Sequence, residues 1–232
     1  RQKPPWYMRD TVSYRTPFAV STRAAMPRPI TPELVLTGYL RGAFPMTDPD
    51  SGRVDWFTCD PRAIVPLDER FRVRPSLARV VRSGRFDIRV DTAFDDVIAD
   101  CARDRSDENR NWIGDELRSI YCELHRMGFA HSVEAWRGGQ LVGGLYGVAI
   151  KGAFFGESMF CRPDLGGTDA SKVCLVHLVE RLRAGGFVLC DSQYSNAHME
   201  QFGLIEIPAA EYLARLEDAI EANASWDPSG HG

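Results

Sequence analysis

The sequence predicts an α+β fold, with a small N-terminal unit over residues 1–68 and a larger one over 69–232. Two observations predict it. Residues 130–160 read as three consecutive strands broken only by glycine-bearing turns, whereas the segments on either side repeat their apolar residues at helical spacing. A third concerns size: 232 residues at 44% apolar content suffice for a real core.

Residues 1–30 carry several prolines and no period, and read as an irregular arm. Thr31-Pro32-Glu33 opens a short helix, with Thr as N-cap and Pro at the first helical position, and Gly42 stops it. The stretch from Arg41-Gly42-Ala43-Phe44-Pro45 to Cys59-Asp60-Pro61-Arg62 reads as loop-rich. From about 69 the segments lengthen. A helix near 75–83 puts Leu77, Val80 and Val81 on one face and Arg79 and Arg82 elsewhere; a strand at 86–90 and helices at 92–103 and 115–127 follow, the last closed by Gly128. Strands over 130–137, 140–150 and 153–160 form an antiparallel meander. Their turns, Gly138-Gly139 and Lys151-Gly152, use glycine because it accepts positive φ. A helix over 170–184 carries Leu175, Leu178, Val179 and Leu182 as a stripe, and Gly185-Gly186 ends it before an apolar strand at 187–190 that finishes in Asp191-Ser192-Gln193. A short helix at 195–202, a strand at 204–208 and a helix at 209–222 complete the order.

Composition narrows the function classes. Six cysteines, widely spaced and without a Cys-x-x-Cys pair, read as reduced thiols of a cytoplasmic protein and suggest no zinc. No run of about 18 apolar residues occurs, so a membrane partner is not indicated. Net charge is −4, yet seven arginines lie between Arg70 and Arg89, Arg79, Arg82 and Arg85 among them. Such a stripe either binds phosphates locally or is a solvated helix face.

Two places could carry chemistry. Glu157 stands in the otherwise apolar strand 153–160, where a carboxylate needs a partner unless it faces water from an edge. Asp191-Ser192-Gln193 emerges from the C-terminal end of a buried strand, a good place for catalytic groups, although it also suits an Asx turn or a helix cap. Gly156-Glu157-Ser158 lacks the second glycine of a nucleophile elbow, no histidine is placed beside Ser158, and His125, His131, His177 and His198 are isolated. No Walker or Rossmann fingerprint is present. Trp112, before a helix, could stack on a base or simply fill the core.

At these residues the chain resembles the leucyl/phenylalanyl-tRNA protein transferase family, from about 31 to 212. The resemblance runs through Tyr39-Leu40-Arg41-Gly42-Ala43-Phe44-Pro45, Trp56-Phe57, Asp60-Pro61-Arg62-Ala63, Trp112-Ile113 and Ala130-His131-Ser132-Val133-Glu134. It continues in Leu141-Val142-Gly143-Gly144-Leu145-Tyr146-Gly147-Val148, Phe155-Gly156-Glu157-Ser158-Met159-Phe160, Ala170-Ser171-Lys172 and Asp191-x-Gln193. It implies a small N-terminal domain and a C-terminal domain with the fold of GCN5-related N-acetyltransferases. It also implies transfer of Leu or Phe (or Met) from aminoacyl-tRNA to proteins beginning with Arg or Lys, marking them for degradation by the N-degron route. No cofactor or metal is implied. By carry-over, Asp191 and Gln193 relay the proton of the acceptor amine and Glu157 holds that amine. Leu145, Phe154, Met159, Leu175, Leu178 and Cys190 line the pocket for the transferred side chain. Trp112 meets the terminal adenosine, and Arg79, Arg82 and Arg85 meet the acceptor stem. Met46 stands where the family usually has a Trp against the adenosine, and 162–169 is about four residues longer than the family norm. Two alternatives remain open: an acyl-CoA-dependent N-acyltransferase using Arg162 and Gly166-Gly167 to cradle a pyrophosphate, and a non-catalytic adaptor that binds RNA or protein N-termini.

Overall fold

The computed structural model describes residues 30–103 and 112–227; the proline-bearing arm and the charged run at 104–110 lie outside them. Helix α1 (Pro32–Tyr39) begins as its sequence dictates, the Thr31 hydroxyl accepting from the Leu34 N–H at 3.3 Å. The stretch expected to be loop-rich instead holds two short strands, and a third begins at its end. Strands β1 (Phe44–Thr47) and β2 (Val54–Phe57) form an antiparallel hairpin, and β3 (Arg62–Ile64) is fully buried. At three or four residues none is long enough to show an alternation, and Pro45 within β1 argues against a strand.

Helix α2 (Pro75–Arg82), β4 (Asp87–Val90), α3 (Phe94–Cys101) and α4 (Asp115–Arg126) follow. The meander then occupies β5 (Ala130–Arg137), β6 (Gln140–Ile150) and β7 (Ala153–Cys161). Helix α5 (Ala170–Ala184) leads to β8 (Leu189–Gln193), and α6 (Ala197–Glu200), β9 (Ile205–Ile207) and α7 (Ala209–Glu221) end the described chain. Seven strands form one sheet in the order β4-β5-β6-β7-β8-β3-β9, antiparallel throughout except for the β7–β8 pair. The mixed α+β class and mainly antiparallel sheet thus agree with expectation. Residues Arg62–Ile64, assigned by sequence to the N-terminal unit, hydrogen-bond on both sides within this large sheet.

Helices cover both faces, so the central strands are buried on each side. Alternation divides them. On one face Tyr146, Val148 and Phe155 pack with α1, α3, α4 and α7; on the other Leu145, Phe154 and Cys190 pack with α2 and α5.

An irregularity in the sheet sets the position of Glu157. Tyr146 faces Ser158 across β6 and β7 while the next residue, Gly147, faces Gly156, which leaves Glu157 as the extra residue of a β-bulge. Gly147 is required there, because a Cβ would lie 2.3 Å from the Phe155 carbonyl oxygen.

Candidate active site

Strands β7 and β8 pair only from Ala153–Leu189 to Phe155–Asp191, yet β7 continues to Cys161 and β8 to Gln193. A cleft of about 570 Å³ opens where they part. Leu145, Met159, Leu175, Leu178 and Cys190 line its apolar part, Glu157, Ser192, Gln193 and Asn196 its polar part, and Trp112, Tyr146 and Phe160 a further wall. Five of the six predicted pocket residues therefore meet. Phe154 is the exception: it is fully buried, does not line the cleft, and stacks on Trp226 with ring centroids 5.6 Å apart. Its strand position puts it on the right face but one pairing too early, where β7 and β8 are still joined.

The bulge turns Glu157 into this cleft. Its carboxylate accepts from the Tyr121 hydroxyl at 3.0 Å and from the Gln193 side-chain amide at 3.2 Å, and Tyr121 in turn bonds the Tyr39 hydroxyl at 2.7 Å. Burial pushes the Glu157 carboxyl up to about 7; hydrogen bonding with Tyr39 and Tyr121 opposes this, the charge of Asp191 adds to it, and Arg62 lowers it. A carboxyl so poised exchanges protons near neutral pH.

Asp191 is among the residues that line the cleft, but its side chain is turned into the protein. Its side chain has no solvent exposure and is gripped by Arg62, Nε on Oδ1 at 2.9 Å and Nη2 on Oδ2 at 2.5 Å. The Tyr212 hydroxyl adds a bond to Oδ2 at 3.0 Å, and the Gln193 backbone N–H donates to Oδ1 at 3.0 Å. Four hydrogen bonds thus engage the two carboxylate oxygens. Burial works against the charge on Arg62, but Asp191 outweighs it and holds the guanidinium well above its ordinary pKa. Gln193 itself sits at φ +55°, in the left-handed region. The Asp191 bond to its N–H holds that strained backbone so that its amide reaches Glu157.

Met46 lies in β1 opposite Asp55, packs against the first core, and is not among the cleft-lining residues. Its neighbour Thr47 does bear on the site: its N–H donates to the Trp112 carbonyl at 2.9 Å. Arg79, Arg82 and Arg85 are exposed on and just after α2, away from the cleft lining. Arg70 and Arg89 are neutralised by Asp68 and Asp87, whereas Arg72, Arg74, Arg79, Arg82 and Arg85 pair with no carboxylate among the described residues. Sequence reasoning missed Tyr39, Arg62, Tyr121, Tyr146 and Tyr212. Tyr39, Arg62 and Tyr146 stand inside motifs of the resemblance, and Arg62 also opens the apolar run Ala63-Ile64-Val65; Tyr121 and Tyr212 had no signal, since their partners lie far along the chain.

A carboxyl raised toward neutrality and a side-chain amide thus stand beside an apolar pocket where the sheet splits, an arrangement suited to an enzyme that moves a proton next to a bound apolar group. Comparison with known proteins narrows this. Residues 28–60 match the model of the leucyl/phenylalanyl-tRNA protein transferase N-terminal domain and residues 64–217 that of leucyl/phenylalanyl-tRNA protein transferase. A Salinibacter ruber protein named leucyl/phenylalanyl-tRNA-protein transferase is 48% identical over 203 residues, covering 88% of this chain and 86% of its own. One of the same name from Herpetosiphon aurantiacus is 48% identical over 201 residues, covering 87% of this chain and 100% of its own. The chain belongs to the leucyl/phenylalanyl-tRNA protein transferase family, and it is an aminoacyltransferase. Among solved structures, a GCN5-related N-acetyltransferase-like protein from Streptococcus suis aligns at 15% identity and a TM-score of 0.36, over 64% of this chain and 57% of that one.

Proposed function

We propose that the protein works in the cytoplasm, moving leucine or phenylalanine from aminoacyl-tRNA to the α-amine of proteins that begin with Arg or Lys. That addition marks them for degradation. The observation that carries this reading is the Glu157–Gln193 pair, turned by the bulge toward a pocket whose walls are Leu145, Met159, Leu175, Leu178 and Cys190. The pocket takes the apolar side chain of the donor. Gln193 and Glu157 hold the acceptor amine beside the ester carbon, and Glu157 takes its proton. Attack of an amine on an activated ester is already favourable, so alignment and one proton transfer are the main tasks. Asp191 acts through Gln193 as a positioning residue. Trp112 offers a stacking face to the terminal adenosine, and the unpaired arginines of α2 meet the acceptor stem.

The acyl-CoA reading finds less support. A pyrophosphate cradle needs unpaired N–H groups, but Gly166 and Gly167 donate to the Pro163 and Arg162 carbonyls, and the Arg162 guanidinium is paired with Asp100 at 2.6 Å. The adaptor reading finds less support because the chain belongs to a family of aminoacyltransferases. Incubating the protein with Leu-tRNA or Phe-tRNA and a peptide beginning with Arg tests the proposal. Peptide longer by one residue is the expected product; its absence, with acylation from acyl-CoA instead, would overturn the reading.

A further inference from the structure

Tyr146 is fully buried, yet its hydroxyl has no hydrogen-bond partner among the described residues. Buried polar groups are nearly always paired, and one left alone costs stability that a function must justify. Its place suggests the function. Tyr146 lies on β6 opposite Ser158, one position from the bulge that presents Glu157, and lines the same cleft. Phe94 and Tyr121 clamp its ring edge-on, with centroids at 5.8 and 5.3 Å. Burial, followed by the nearby Tyr121 and Glu157, raises its phenol well above the ordinary value. It therefore stays protonated and can act as a donor.

Building on the transfer reaction proposed above, we infer that the Tyr146 hydroxyl donates a hydrogen bond to the carbonyl oxygen of the aminoacyl ester. The reacting carbon must lie beside the amine held by Glu157 and Gln193, which brings its oxygen next to Tyr146. As the amine attacks, the C–N bond forms and the carbonyl electron pair moves onto oxygen, where the Tyr146 hydrogen bond stabilises it. The intermediate then collapses and the C–O bond to the terminal ribose breaks. One proton leaves the amine through Glu157, and one returns to the departing ribose oxygen. A donor preset for charge that appears only in the transition state explains why it lacks a partner in the free protein.

The test is Tyr146→Phe in the full chain, followed by single-turnover transfer from Leu-tRNA to an Arg-initiated peptide. The rate is expected to fall by about 100-fold or more. Leu-tRNA affinity should be unchanged, and the melting temperature should hold or rise because the variant removes an unpartnered hydroxyl. A rate within about threefold of the wild type, or a loss confined to affinity, would overturn the inference. Should Tyr146→Phe fail to fold, 3-fluorotyrosine at 146, a more acidic phenol, should speed transfer; an unchanged rate would again overturn it. Wild-type protein that transfers nothing contradicts the function itself, whereas an active wild type with an equally active variant contradicts only the role of Tyr146.

Discussion

At the scale of single residues, Asp191 and Glu157 sit in different surroundings, the first gripped by Arg62 and Tyr212, the second bonded to Tyr121 and Gln193. Asp191 is locked to Arg62 and Tyr212, so Asp191→Asn leaves a buried guanidinium without its partner. That change is expected to cost about 3–5 kcal/mol of stability, seen as a lowered denaturant midpoint, together with a loss of transfer. Glu157→Gln should behave oppositely in the fold. The raised carboxyl of Glu157 binds its proton more tightly folded than unfolded, so wild-type stability declines as pH rises from the ordinary carboxyl range through about 7. Gln removes that decline, and thermal melts at pH 5 and pH 8 should show the variant gaining on the wild type at the higher pH. Equal gaps at both would place Glu157 in an ordinary environment. In the pocket, Leu175 touches the apolar end of the cleft, and Leu175→Phe should impair use of Phe-tRNA more than Leu-tRNA. Equal impairment would make Leu175 only a core residue.

At the scale of elements, the bulge and α2 carry separate expectations. Gly147→Ala would press a Cβ against the Phe155 carbonyl oxygen at 2.3 Å and disturb the register that frees Glu157. A loss of about 1–3 kcal/mol, with transfer falling further than stability explains, is the expected result in paired unfolding and rate measurements. Unchanged transfer would separate the bulge from function. On α2 the exposed Arg79 and Arg82 should contribute phosphate contacts, so changing both to Ala should weaken tRNA binding and lower the slope of log affinity against log salt by about 2. A constant slope would leave α2 a solvated face. The long elements were legible: β5 and β6 fall where the glycine-bearing turns put them, and α5 where the leucine stripe does. The short strands β1, β2 and β3 were not. Their existence depends on partners supplied by the fold, as when Ala63 pairs with Gln193 from the far end of the chain.

At the scale of the whole molecule, the site arises because the sheet splits between β7 and β8 while β3 braces the far side. The apolar lining came from the resemblance, and five of its six residues line the cleft. The buried Arg62–Asp191 pair was not legible, because nothing local distinguishes a strand-end aspartate that faces solvent from one that faces an arginine on a neighbouring strand. The central claim is that Glu157, rather than Asp191, accepts the proton of the acceptor amine. Single-turnover transfer from Leu-tRNA to an Arg-initiated peptide, followed from pH 5.5 to 8.5 in wild type and Glu157→Gln, tests it most directly. Below about 7 the wild-type carboxyl is protonated and cannot accept, so its rate should fall as pH falls through that value. The variant should lose that inflection and about 100-fold or more in rate. A variant within about threefold of the wild type that keeps the same pH profile would contradict the account.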